Sequence, residues 1–275
     1  MAMSLVFLFP SLRMARQLQL APTQAPRTIP VTSGSTVWRT MVRAGDRSVR
    51  ILLAKRIMII LVFQCPCRWM VDGSTVAIGS PFNDDNGAGS GKVVVYRINS
   101  EGSSWERLVQ SIHGNNAGDY VGTSVTISSD GNILVIGSSG YWEDDDRPGY
   151  VRVFSLESSL NTGSWVQIGQ DIIGEANGDE FGYSVSLSDD GKTLAVGAQT
   201  VDVNGADSGH VKVYQMDDSL SGWMQLGVDV DEEAAYDNSG TSVSLSADGN
   251  TVAIGSPKND DNGNSSGHVR VFVLE

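Results

Sequence analysis

Residues 183–197 read Tyr-Ser-Val-Ser-Leu-Ser-Asp-Asp-Gly-Lys-Thr-Leu-Ala-Val-Gly, two runs of short-range alternation joined at an Asp-Gly step. Asp-Gly between alternating runs is a strong hairpin signal, because glycine accepts a positive φ at no steric cost. The stretch predicts two antiparallel strands, Tyr183–Ser188 and Thr193–Gly197. Working outward, an Asp-, Asn- and Gly-rich segment follows, then a third strand, His210–Tyr214, opened by Gly209, and a fourth, Trp223–Val228. Four short strands make one unit.

The unit repeats. Asp-Gly pairs begin at Asp72, Asp130, Asp190 and Asp248, spaced 58, 60 and 58 residues apart. A Gly-x-Val triplet keeps the same step at Gly91, Gly149, Gly209 and Gly267, and tryptophan recurs at Trp105, Trp165 and Trp223. A period of this order marks a stacked array, and no stretch of residues 71–275 carries helical periodicity. A lone sheet of four short strands has too little core to stand by itself. Here one strand face offers Val185 and Leu187 and the other Ser184, Ser186 and Ser188, which suits close sheet-on-sheet stacking. The fold class is therefore all-β, a partial β-propeller of about three and a half four-stranded blades of 58–60 residues; a β-sandwich would not produce the repeat.

Charge divides the chain at the same place. Residues 1–70 hold ten basic residues and one acidic, +9, while residues 71–275 hold nine basic and 31 acidic, −22. An acidic repeat repels phosphate backbones, which argues against nucleic-acid partners. Residues 1–70 form an atypical basic leader, read as disordered or as a mispredicted start. Its most apolar run, Ile57–Phe63, is far shorter than the ~20 residues of a membrane helix, so no membrane span is expected. Ile57–Gln64 could still pair as an edge strand. Cys65 and Cys67, one residue apart, make a poor disulfide and complete no zinc site.

The unit resembles the FG-GAP repeat of integrin α-chain propellers. Phe181-Gly182 matches the first half of that name, and Gly79-Ser80-Pro81 and Gly255-Ser256-Pro257 match the second, with drifted copies at Gly137-Ser138-Ser139 and Gly197-Ala198-Gln199. The resemblance covers residues 72–275. It implies a binding module at a cell surface or secreted, with a protein or carbohydrate ligand and a role in cell adhesion. Calcium-binding blades of that family carry an acidic ladder between the first two strands. Here that hairpin is as short as Ser128-Ser129-Asp130-Gly131-Asn132, too few oxygen ligands for Ca²⁺.

Acidic turns between the second and third strands are the remaining site-like feature. They supply Asp84 and Asp85, Asp144 and Asp145, Asp202 and Asp207, and Asp260 and Asp261. In a propeller these would gather on one rim as Ca²⁺ candidates; the plain alternative is that Asp and Asn are what turns are made of. No metal is otherwise assigned and no cofactor is expected. A second regular set, Asp119, Asp179 and Asp237, is expected to cap backbone N–H groups between blades. Of His113, His210 and His268 the last two follow the glycine that opens the third strand, but Lys92 and Tyr150 hold the partner positions, so the histidines form no metal or catalytic set on spacing. No nucleophile, phosphate-loop or dinucleotide motif is present. The sequence thus predicts a non-catalytic interaction module, not an enzyme. The alternatives are a propeller enzyme of oxidase, lyase or hydrolase type, or a structural fragment of a longer propeller, with self-association as a way to complete a ring.

Overall fold

The computed structural model describes residues 50–54, 57–61, 69–71, 75–108, 111–140, 147–157, 164–217, 222–231 and 234–274. The leader up to residue 49, the Asp72-Gly73 anchor, and Asp144 and Asp145 lie outside them. Every regular element among the described residues is a strand. β1 (Arg50–Ala54) and β2 (Ile57–Leu61) pair as an antiparallel hairpin, so the apolar run does pair.

Four sheets follow. The first contains β3 (Trp69–Val71), β4 (Thr75–Ser80), β5 (Lys92–Ile98), β6 (Trp105–Arg107) and β7 (Ile112–His113). The second contains β8 (Val121–Ile127), β9 (Ile133–Ser138), β10 (Tyr150–Glu157), β11 (Ser164–Gln167) and β12 (Ile172–Ile173). The third contains β13 (Ser184–Leu187), β14 (Thr193–Ala198), β15 (His210–Met216), β16 (Trp223–Gln225) and β17 (Val230–Asp231). The fourth has β18 (Ser242–Leu245), β19 (Thr251–Ser256) and β20 (His268–Val273). Three complete blades and a three-stranded fourth match the architecture expected from the repeat. Trp69–Val71 supplies the opening strand of the first sheet, pairing β4 from Trp69↔Ile78 to Val71↔Val76, although its sequence departs from the repeat.

The hairpin chemistry is as read. Gly131, Gly191 and Gly249 take φ of 70°, 73° and 73°. At each turn a serine hydroxyl donates to the aspartate two residues on: Ser128 to Asp130 at 2.6 Å, Ser188 to Asp190 at 2.6 Å, Ser246 to Asp248 at 2.5 Å. The outer strand differs from expectation: it is split. β16 and β17 both pair with β15, and the break between them contains Gly227 at φ 74°. The same split separates β11 from β12, with Gly169 at φ 68°.

The cores lie between sheets. Val151 and Val153 of the second pack with Phe181, Leu194, Val196 and Tyr214 of the third. Val211 and Val213 of the third pack with Val252 and Ile254 of the fourth. The serine face joins the stack through hydrogen bonds: Ser124 Oγ donates to the Gly182 carbonyl and Ser184 Oγ to the Gly240 carbonyl, both at 2.7 Å. On the fourth sheet Val269, Val271 and Val273 stand 68, 63 and 70% exposed, whereas their counterparts Val211 and Val213 are 0 and 2% exposed.

Backbones approach so closely that side chains are excluded. A Cβ on Gly197 would lie 2.2 Å from the Gly240 carbonyl oxygen, and one on Gly137 would lie 2.1 Å from that of Gly182. Gly197→Ala is therefore expected to lower stability by about 1–3 kcal/mol, the usual range for overpacking. Gly255→Ala is the control, because its Cβ would press mainly on the rotatable Ser242 hydroxyl. Urea unfolding should leave that variant within about 0.5 kcal/mol of the parent, as for unconstrained substitutions.

Candidate functional site

The turns between second and third strands fold back on the connectors that enter the next sheet. Tyr120 N–H donates to the Gly89 carbonyl at 2.9 Å, and Tyr236 N–H to that of Ala206 at 2.7 Å. Within these turns the carboxylates are locally engaged. Asp84 Oδ1 accepts from Gly89 N–H at 2.8 Å, Asp202 Oδ1 from Asp207 N–H at 2.9 Å, and Asp260 Oδ1 from Ser265 N–H at 2.6 Å. Asp85 pairs with Lys92 Nζ at 2.8 Å, and that ammonium holds the Asp85 carboxyl below its ordinary range. Asp261 Oδ2 lies 3.9 Å from His268 Nδ1.

The connector aspartates hold the neighbouring backbone. Asp119 Oδ2 accepts from Asn115 and Asn116 N–H at 2.8 and 3.0 Å, and Asp119 also pairs with Arg147. Asp179 Oδ2 accepts from Ala176 N–H at 2.8 Å. Asp237 differs: it accepts from the Asn259 side chain at 2.9 Å.

The third blade is where polar groups converge. A groove of about 490 Å³ opens between the connector and the turn, lined by Glu175, Asp179, Thr200, Asp202 and Asp207 among others. Burial raises the Asp179 carboxyl above its ordinary range. Its neighbour Glu180 is 4% exposed, and burial, reinforced by Asp207, pushes its carboxyl up to about 7 although Gln199 donates to it at 2.7 Å. A carboxyl that titrates near neutrality is suited to proton transfer. Glu180 has φ 55°, but Tyr120 and Asn238 at the equivalent connector position have 49° and 54°, so this conformation belongs to the repeat rather than to a site.

Behind the groove the split outer strand brings together residues the sequence keeps apart. His210 opens β15 and faces Asp231 of β17 in the ladder. Asp229 immediately precedes β17, in which Asp231 lies, and His210 and Lys212 share a face of β15. His210 Nδ1 lies 3.8 Å from both Asp229 Oδ2 and Asp231 Oδ1. Lys212 Nζ pairs with Glu175 and sits 3.2 Å from Asp229 Oδ2. His210 is 2% exposed, and burial lowers its pKa below the ordinary imidazole range. Neither His210 Nδ1 nor Asp231 Oδ1 has a hydrogen-bond partner. The histidine reading from spacing alone missed this group; the alternating Asp229-Val230-Asp231 after a glycine was the signal for the outer strand piece that carries it.

These sheets define the protein as a β-propeller of repeated four-stranded units. Residues 174–214 and 231–272 match the FG-GAP repeat family, and the chain carries FG-GAP repeats. No curated protein sequence matches the chain. Among solved structures, the periplasmic gluconolactonase PpgL of Pseudomonas aeruginosa aligns at a TM-score of 0.52 and 15% identity, over 86% of this chain and 67% of that one. Sqt1 from Chaetomium thermophilum aligns at 0.47 and 17% identity, over 77% of this chain and 47% of that one. The β-propeller domain of the Trilobed protease from Pyrococcus furiosus aligns at 0.43 and 13%, over 76% and 53%. The chain spans about two thirds of the lactonase and about half of the other two. One expectation is corrected by the likeness to the gluconolactonase. The sequence predicted that the chain is not an enzyme, yet its fold is shared with a lactonase, so neither the fold nor the lack of a linear motif excludes catalysis. Propeller sites draw single residues from separate strands, which no contiguous motif records.

Proposed function

We propose that the chain is a ligand-binding propeller segment whose site is the connector end of its third blade, and that the ligand is a protein presenting lysine or arginine side chains. The observation that carries this is the buried His210, which faces the half-buried Asp231 beside the carboxylate groove. An unsatisfied buried polar group costs about 1–3 kcal/mol, and the second blade fills the same ladder position with Tyr150 and Ile173. The second blade therefore folds without a polar pair there. Four carboxylates line the adjoining groove, a field that draws cationic groups. The FG-GAP repeats, and a periplasmic protein among those sharing the fold, support a place outside the cytoplasm.

The test uses a fluorescent Lys-rich peptide and anisotropy at low and physiological salt. Asp202→Asn/Asp207→Asn retains side-chain oxygen acceptors, including the one that bonds Asp207 N–H, while removing two charges. Binding is expected to weaken about twofold to thirtyfold, from roughly 0.2–1 kcal/mol for each of two exposed charge pairs. Equal binding of a neutral peptide, or no effect of the double substitution, would overturn the reading. A second reading, hydrolysis at this end with Glu180 as acid–base group, is favoured by its carboxyl titrating at about 7. It predicts turnover of a lactone or ester substrate that Glu180→Gln abolishes.

A further inference from the structure

We infer that His210, Asp229 and Asp231 form a binding site for a divalent transition-metal ion of the zinc class. The inference stands on its own geometry and does not require the basic partner proposed above. The three ligand atoms lie within 4.8 Å of one another, one nitrogen and two carboxylate oxygens. With metal–ligand bonds of about 2.0–2.2 Å, ligands around a tetrahedral ion sit about 3.4 Å apart, so the 3.8 Å separations need only a small inward rotation.

Three observations separate this cluster from an ordinary acidic surface. His210 Nδ1 is buried, lacks a hydrogen-bond partner and faces both carboxylates. Nδ1 therefore points at the space a metal would fill, 3.8 Å from an oxygen of each carboxylate.

The repeat supplies the second. In the second blade Arg152 Nε pairs with Asp171 at 3.0 Å, the counterpart of Lys212 with Asp229, so that ion pair is part of the blade's construction. The counterparts of His210 and Asp231 are Tyr150 and Ile173, which cannot form such a pair. The second blade fills that position without ligating groups, the first with Lys92 facing His113, and among the described residues the third alone sets a histidine against a carboxylate there.

The third is charge. Asp179, Asp229 and Asp231 act on the imidazole and Glu175 pairs with Lys212, whereas the nearby cations among the described residues are Lys212 and Arg270, whose guanidinium donates to the Asp231 carbonyl at 2.8 Å. Four carboxylates against two cations leave an excess of two negative charges, which one divalent ion balances. Lys212 competes for Asp229, but it retains Glu175 when a metal takes that carboxylate. One nitrogen with two oxygens suits zinc or manganese and leaves a position for water; calcium needs six or more oxygens.

Isothermal titration of the chelator-treated full chain with ZnCl₂, and separately with CaCl₂, tests the site. One equivalent of Zn²⁺ is expected to bind, with at least tenfold preference over Ca²⁺. His210→Ala and Asp231→Asn should each weaken Zn²⁺ binding tenfold or more. Should His210→Ala fail to fold, Asp231→Asn carries the test, together with the visible absorption of Co²⁺-loaded parent, whose strong bands report four-coordinate ligation. Absence of Zn²⁺ heat, equal affinity in Asp231→Asn, or undiminished binding of Ca²⁺ relative to Zn²⁺ would overturn the inference.

Discussion

Replacing Phe181 with alanine is expected to remove about 3–5 kcal/mol of stability, the range for emptying a buried aromatic site. Phe181 is 1% exposed and belongs to the cluster that glues the second sheet to the third. Its ring meets Tyr214 edge-on, with centroids 6.3 Å apart and planes at 85°. A backbone bridge joins Gly149 to Phe181, and Gly149 approaches so closely that a Cβ there would lie 2.3 Å from the Phe181 carbonyl oxygen. The ring is thus held at a point where the backbones cannot close to fill a void. Phe181→Val should cost much less, because the preceding interface uses Val121, 1% exposed, at the same connector position. Urea denaturation with a shared m-value checks both; a loss below about 1 kcal/mol for Phe181→Ala would show that the interface repacks.

Glu180→Gln should change the pH dependence of stability by nearly as much. The free carboxyl titrates near 4.5 and the folded one at about 7, so the native state binds this proton more tightly than the unfolded chain does. Below pH 4.5 the group is protonated in both states and its burial carries no charge penalty. As pH rises from there to 7 the unfolded state ionises first, and stability falls by about 3 kcal/mol at roughly 1.4 kcal/mol per pH unit. Glutamine removes that loss. The variant should match the parent near pH 4 and exceed it by about 3 kcal/mol at pH 8. His210, whose pKa is lowered by burial, acts in the opposite direction: its stabilisation is present above pH 6.5 and lost as pH falls. The contribution is common to parent and variant and drops out of their difference. Parallel melting curves at the two pH values decide the matter, and an identical difference at both would refute the assignment.

The hairpins, the repeat and the all-β class were legible because their causes are local. Asp190-Gly191 turns the chain wherever it occurs, since glycine alone takes φ 73° without strain and the aspartate bonds Ser188. Alternation in Tyr183–Ser188 fixes which side chains share a face, and the small serines announced a close neighbour. Trp69–Val71 was not legible as a strand, because pairing with β4 rather than its own composition places it in the sheet. Phe181 announced the repeat, but only stacking shows that it fills the joint between two blades.

Function followed the same division. The aspartates of the turns were visible as a periodic set, and the structure shows Asp84, Asp202 and Asp260 each bonded to its own turn. His210 lies 19 residues from Asp229 and 21 from Asp231 in the sequence. Those residues meet because a two-residue strand, cut off at Gly227, returns to the third strand in one register. A strand so short leaves only the Asp229-Val230-Asp231 alternation as its signature, and a one-residue slip would turn Asp231 to the opposite face. Sequence by itself determined the blades, since turn chemistry and alternation act over a few residues. Tertiary structure alone decided the polar cluster, since its geometry comes from the register between strands.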